Sequence, residues 1–153
     1  DSASASGGSG ASANAPISVY SREDGSGTRG AFVELFGIEQ KDANGDKVDM
    51  TTPAAAITNS TAVMMTSVAG DPNAIGYISL GSLDDTVKAV SIDGVAPTAA
   101  AVKDGSYEIQ RPFVMVTKEG AELSEAAQAF FDFATSTAAS DLIANAGAVP
   151  VAQ

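Results

Sequence analysis

Apolar and polar positions alternate over Ile17-Ser18-Val19-Tyr20-Ser21, a β-rich run that predicts a strand just after Pro16. The period then changes. Phe32, Leu35 and Phe36 recur at helical spacing after the glycine-rich turn Arg22-Glu23-Asp24-Gly25-Ser26-Gly27-Thr28-Arg29-Gly30, and Gly37 supplies a stop. The first unit therefore reads as strand, turn, helix. Residues 39–59 are polar and predicted irregular, with Asn44-Gly45 as the strongest hairpin or turn signal in the chain. A helix capped by Asn59 or Ser60 is expected to run to about Ala69, where Gly70-Asp71-Pro72 ends it. Short strands are expected over residues 74–79 and 87–92, the second followed by the turn Asp93-Gly94.

The remaining third continues the interleaving. Residues 98–103 suit a short helix stopped by Gly105. Residues 107–117 form the longest strand candidate, although Pro112 lacks an N–H and confines it to an edge or a crossing segment. Ser124 caps a helix whose Ala127, Phe130, Phe131 and Ala134 make an i, i+3, i+4, i+7 stripe, and a last helix over residues 136–145 stops at Gly147. Strands and helices alternating along the whole chain argue an α/β fold, a small mixed sheet flanked by helices, with no internal repeat. Met64 and Met65 read as core or interface filler, and Phe130, Phe131 and Phe133 cannot all face one side of their helix.

Composition narrows the chemistry. The 153 residues suit one domain with a tail, and 44% hydrophobic content is ordinary for a globular protein. Eight basic residues face 19 acidic ones, a net charge of −11, which argues against nucleic acid as a partner. The chain has no Cys, so disulfides, thiolate metal sites and Cys nucleophiles are excluded; it has no His, so Ser–His–Asp catalysis and His-ligated zinc are excluded as well. No apolar run reaches the ~18 residues of a membrane-spanning helix. Residues 1–16, almost entirely Ser, Ala, Gly and Asn, read as a disordered tether, and residues 17–153 as the folded part. With no basic or strongly apolar leader in the sequence, a natural tether following a processed signal or lipid anchor is favoured over an added linker. Asp42, Asn44 and Asp46 hint at a calcium loop, but the position that needs Gly is Lys47 and the one that needs Glu is Pro53, so no metal is expected. No cofactor is expected either.

The turn from Arg22 to Arg29 carries the most chemistry. A strand feeds a glycine turn that opens a helix, whose first N–H groups are unpaired and whose dipole places about half a positive charge there. Gly25 and Gly27 allow close backbone approach, Ser26 and Thr28 add hydroxyls, and Arg22 offers a planar fork to a tetrahedral anion. The plainer alternative is that Ser26 and Thr28 only cap the helix. A P-loop would need GxxxxGK[ST], and no Lys lies near; a dinucleotide fingerprint lacks its βαβ context and acid. A phosphate or sulfate site is the reading these residues support.

The stretch Ser21-Arg22-Glu23-Asp24-Gly25-Ser26-Gly27-Thr28-Arg29-Gly30-Ala31-Phe32 resembles the phosphate-binding loop of PstS-type proteins, the substrate-binding components of phosphate ABC importers. So do Asp71-Pro72-Asn73-Ala74-Ile75-Gly76-Tyr77-Ile78, Tyr107-Glu108-Ile109-Gln110-Arg111-Pro112-Phe113 and Phe130-Phe131-Asp132-Phe133, in family order over residues 17 to about 150. The resemblance implies one lobe of a periplasmic-binding-protein-like fold. It implies that Arg22, Ser26, Gly27 and Thr28 grip inorganic phosphate, with Asp24 pairing with Arg22 to hold its fork and Gly25 and Arg29 in support. It implies a second lobe as partner, ABC importer membrane subunits, and an extracytoplasmic location as a lipoprotein on the outer face of a bacterial membrane. The family's other lobe, with its Ser, Thr and proton-accepting Asp, has no counterpart here, so the chain is expected to be an excised or split lobe or half of a circular permutant. Such a half-site should bind no tighter than about millimolar, because only the surplus over ordering and desolvation appears as affinity. An exposed apolar face, and a homodimer through it, are expected from the missing lobe. Arg111 is expected to pair with an acid at the lobe edge.

Two other functions compete. A surface-tethered interaction or sensory domain that has lost phosphate binding would keep the fold and not the ligand. An enzyme would need a general base or metal at the cradle, and the nearby Glu23 and Asp24 read more easily as solvated or Arg-pairing.

Overall fold

The computed structural model describes residues 15–151, so all but the end of the expected 1–16 tether lies outside the described residues. The chain forms two compact units, one ending at Lys88 and the next beginning at Ala89.

In the first unit the alternating run becomes β1 (Ser18–Arg22), and the helical spacing after it becomes α1 (Gly27–Leu35), with Ser26 as its N-cap. The Asn44-Gly45 signal marks a real hairpin: β2 (Glu39–Lys41) and β3 (Lys47–Asp49) pair antiparallel. Gly45 takes a φ of 89°, and the Asp42 carboxylate accepts the N–H groups of Asn44 and Asp46. Those donors tie Asp42 to its neighbouring turn. Next come β4 (Ala56–Thr58), α2 (Thr61–Gly70) capped by Ser60, and β5 (Ala74–Ile75).

β1 is the centre of a three-stranded parallel sheet ordered β4-β1-β5. Parallel neighbours cannot be joined by a tight turn, so α1 with the hairpin carries the chain from β1 to β4, and α2 carries it to β5. The register is staggered: Tyr20, Ser21 and Arg22 pair with Ala56, Ile57 and Thr58, whereas β5 meets only Ser18 and Val19. The core is small. Val33 of α1 and Met64 of α2 are buried, Met64 to 1% exposure, and Met64 lies against Gly76.

In the second unit, Ile92 and Val95 bridge across Asp93-Gly94, both with positive φ (51° and 82°), as a two-residue primed turn requires. Thr98 caps α3 (Ala99–Lys103) and Ser124 caps α4 (Glu125–Ala134). The expected last helix begins as a 3-10 turn over Thr137–Ala139 and becomes regular only as α5 (Ser140–Asn145).

Three strand expectations need correction. Residues 87–92 are irregular apart from the Ile92 bridge. Residues 107–117 form no strand; no described segment pairs with them, and Pro112 removes a donor from any ladder. Within this run Phe113 is 84% and Val116 90% exposed, and Phe130 and Phe133 are also exposed. The third strand ends at Ile75, short of the expected residue 79, and residues 76–79 carry no ladder. Conversely, β4 arises from an Ala-rich stretch read as irregular; its strand character comes from pairing with β1.

Candidate functional site

β1 and β4 run in parallel and end side by side at the Arg22–Thr58 pair, and each then feeds a helix. Two helix N-termini therefore leave adjacent strand ends, the place where open parallel sheets build their sites. Ser26 Oγ accepts the Arg29 N–H at 3.3 Å and Ser60 Oγ accepts that of Val63 at 3.2 Å. The N–H groups of Gly27 and Thr28, and the Thr28 hydroxyl, make no hydrogen bond to a described residue. Ser26 thus caps the helix, as the plainer sequence reading had it, while Thr28 does not. Gly25 takes a φ of 83°, a conformation costly for any residue with a Cβ, so it turns the chain into α1; Gly27 is already the first helical residue.

Arg22 is buried at the end of the central strand. Its side chain makes a forked pair with Glu23: Nε donates to Oε2 at 2.7 Å and Nη2 to Oε1 at 2.8 Å. Nη1 donates to Thr61 Oγ1 at 3.3 Å, at the start of α2. These hydrogen bonds to Glu23 raise the Arg22 pKa above its ordinary value, and the same bonds hold the Glu23 carboxyl below the usual carboxylate range. A carboxyl with a lowered folded pKa stabilises the fold above the ordinary Glu range, and this contribution is lost as pH falls through the lowered value. Carboxyl ¹³C NMR is therefore expected to give Glu23 a midpoint below an ordinary Glu, and Arg22→Ala to move it back up; an unchanged midpoint in the variant would break the assignment.

The expected Asp24–Arg22 pair is not formed. Asp24 instead accepts from Arg29 Nη1 at 2.7 Å. Asp24 lies in the turn with its side chain almost fully exposed, and Arg29, on the first turn of α1, reaches back to it. Glu23, one carbon longer and just past the strand end, folds back on Arg22. Arg29 also donates to the Arg22 carbonyl at 2.9 Å and to Asp49 of β3 at 2.9 Å. Its role is thus to tie the turn to the hairpin. Arg111 makes no ion pair with a described residue, contrary to expectation.

Two contributors were not assigned a role from sequence. Thr58 Oγ1 donates to the Ser21 carbonyl at 3.0 Å. Tyr77 OH lies 2.8 Å from Ser21 Oγ and accepts the Arg22 N–H at 3.1 Å, where β5 has already stopped. Its ring stacks on Phe32 of α1 at 4.1 Å between centroids and 9° between planes. Tyr77→Phe keeps that stack and strands the Arg22 N–H, so a stability loss of about 1–2 kcal/mol is expected in urea denaturation. A loss indistinguishable from zero would mean that water replaces the phenol. The only sequence signal for Tyr77 was its place in a familiar motif.

Among the described residues no cluster of three or more acidic side chains could hold a metal, and no helix is long and apolar enough to cross a membrane.

Residues 3–138 match the PBP superfamily domain. The chain is 52% identical over 143 residues to the phosphate-binding protein PstS 2 of Streptococcus agalactiae, covering 94% of this chain and 48% of that protein. Among solved structures, the phosphate-binding protein of a phosphate ABC transporter from Streptococcus pneumoniae matches with a TM-score of 0.77 and 46% identity, over 86% of this chain and 50% of that one. A phosphate ABC transporter substrate-binding protein from Clostridium perfringens, solved with bound phosphate, matches with a TM-score of 0.73 and 40% identity, over 90% and 53%. The chain spans about half the length of the curated relatives it matches.

Proposed function

We propose, from the premise that this chain belongs to the PBP superfamily, that it supplies one side of a site that captures inorganic phosphate for an ABC importer. The binding groups are Arg22, Ser26, Gly27 and Thr28, with Gly25 shaping the turn and Asp24 and Arg29 bracing it. The observation that carries this reading is the set of unspent donors at the start of α1, Gly27 N–H, Thr28 N–H and the Thr28 hydroxyl, in the same loop as the buried Arg22. Helix-start donors and an arginine fork suit a tetrahedral oxyanion. The net charge of −11 does not oppose it: the Debye length is about 8 Å at physiological salt, so distant carboxylates are largely screened and local groups decide.

The similarity to proteins named as phosphate-binding components of ABC transporters supports the choice of phosphate and of importer membrane subunits as partners. In this reading the protein is extracytoplasmic, held at the membrane as a lipoprotein, and a binding component with no catalysis of its own. The other half of the relatives' length would supply a second lobe. The exposed apolar run through Phe113 and Val116 supports a covering partner of that kind, since a large apolar patch in water is an interaction surface. A second copy of the chain is the competing occupant: concentration-dependent dimerisation in sedimentation would favour it, and a monomer throughout would favour the second lobe.

The test is a ¹⁵N-HSQC titration with phosphate and, separately, with sulfate. Shifts confined to Arg22 and residues 25–29, saturating at about millimolar phosphate, are expected for a half-site. No shift at concentrations many-fold higher would favour the interaction-domain reading.

A further inference from the structure

We infer that Asp49, on the second strand of the β2–β3 hairpin, is a positioning residue of the anion site: it holds Arg29, and Arg29 fixes the start of α1 against the end of β1. The inference rests on the phosphate reading above and concerns an element, the hairpin, that the reading leaves aside.

The cradle is made of two backbone pieces. Arg22 stands at the end of β1, and Gly27 and Thr28 open α1. They can grip one anion together only if strand end and helix start keep a fixed separation. Arg29, the next residue of α1, spans that gap: its Nη1 donates to the Arg22 carbonyl at 2.9 Å. This strut is only as firm as the guanidinium that makes it.

Two carboxylates meet that guanidinium, and they are not equivalent. Asp24 accepts from Nη1, but it belongs to the same turn and its side chain is 98% exposed. It travels with the turn and cannot fix the turn against anything else. Asp49 comes from a separate element. Its Oδ2 accepts from Nε at 2.9 Å and lies 2.9 Å from Nη2, so one oxygen meets the side of the fork. Its Oδ1 accepts the Thr51 N–H at 2.8 Å, which sets the plane of the carboxylate. Both side chains of this pair are largely covered, so water competes less here than at Asp24.

The hairpin is a firm base for the hold. Asp49 faces Glu39 across the ladder, and the Met50 N–H donates to the Ile38 carbonyl at 3.1 Å. The Ile38 N–H in turn donates at 2.8 Å to the carbonyl of Val33, the buried residue of α1. The hairpin is thus fastened to α1 twice, by Ile38 near the end of the helix and by Asp49 and Arg29 at its start. A helix held at both ends keeps its first N–H groups aimed at the place Arg22 reaches, and preorganised donors lose less freedom on binding.

This role has the opposite sign to simple electrostatics. Removing an acid beside an anion site raises phosphate affinity if charge decides, because a nearby negative charge repels a dianion. It lowers affinity if position decides.

The experiment uses the 153-residue chain with Asp49→Asn and Glu39→Gln, which each remove one negative charge from facing positions of one ladder; Glu39 pairs with Lys47. The Arg29 Nε–H resonance is followed without ligand, and then the amides of residues 25–29 during a phosphate titration. Asp49→Asn is expected to shift the Arg29 Nε–H toward that of a free arginine and to weaken phosphate binding by about fivefold. Glu39→Gln is expected to leave the Nε–H in place and the affinity within about a factor of two. Unchanged or tighter binding in Asp49→Asn overturns the inference. Equal weakening in the two variants overturns it too, because the hairpin's charge or stability would then be at work. If Asp49→Asn does not fold, Asp49→Glu decides: it keeps the charge and displaces the carboxylate by one carbon, so weaker binding is expected and wild-type affinity overturns the role. A wild-type chain whose amides ignore phosphate overturns the phosphate reading, and this role with it, while the Nε–H signal still reports whether Asp49 grips Arg29.

Discussion

Arg22→Ala is expected to erase the phosphate-induced shifts at Gly27 and Thr28 and to lower affinity by roughly a hundredfold. The guanidinium hydrogens that Glu23 and Thr61 leave free offer charge-assisted hydrogen bonds, and losing two such bonds costs about 3 kcal/mol, or about two decades in Kd. The helix-start donors survive the substitution, so their amides should stay folded and merely stop responding. A second effect adds to the loss. Glu23 would keep its carboxylate beside the cradle with no cation to neutralise it, and a fixed negative charge there repels a phosphate dianion. The loss in Arg22→Ala should therefore exceed the loss in a double variant that also carries Glu23→Gln. A variant that retains wild-type shifts would place the anion elsewhere.

Gly76→Ala is expected to destabilise the first unit by about 1–3 kcal/mol, through overpacking and not through backbone strain. A Cβ there would collide with Met64 Sδ and lie 3.2 Å from Val68 Cγ2. Met64 is the deepest apolar side chain of this small core and has little room to withdraw. Met64→Ala by itself should cost about 2–5 kcal/mol by leaving a cavity. The two sites touch, so the double variant should be more stable than the sum of the single losses implies, the new methyl partly filling the space that Met64 vacates. Urea denaturation followed by circular dichroism measures all three. Wild-type stability in Gly76→Ala would mean that α2 slides away from the sheet without penalty. A large loss also bears on function, because the segment from Gly76 leads directly to Tyr77, whose phenol holds the Arg22 N–H.

What the sequence determined by itself are the features whose causes lie within a few residues. The period change from Val19 to Phe32 marked β1 and α1, Ser26 and Ser124 announced their helices, and Asn44-Gly45 and Asp93-Gly94 placed their turns. Caps and turns are local hydrogen-bond arrangements, so local residue identity is enough to specify them. The residue types of the anion cradle were legible for the same reason: Arg22, Ser26, Gly27 and Thr28 are a strand end and a helix start, and the free donors follow from helix geometry.

Only the tertiary structure decided the rest. β4 could not be told from irregular chain, because three residues of Ala-Ile-Thr become a strand by pairing with β1. Residues 107–117 had the stronger local signal and form no strand, because a ladder needs a partner and none is present among the described residues. The acid that holds Arg22 was misassigned for a related reason. Glu23 and Asp24 are one residue apart and chemically alike. Which of them reaches the guanidinium depends on where the turn at Gly25 sends the chain, and on Arg29 reaching back from α1 to claim Asp24. Tyr77 lies 55 residues from the N–H it holds. Contacts of that range are fixed by how strands and helices stack, which no short window of sequence contains.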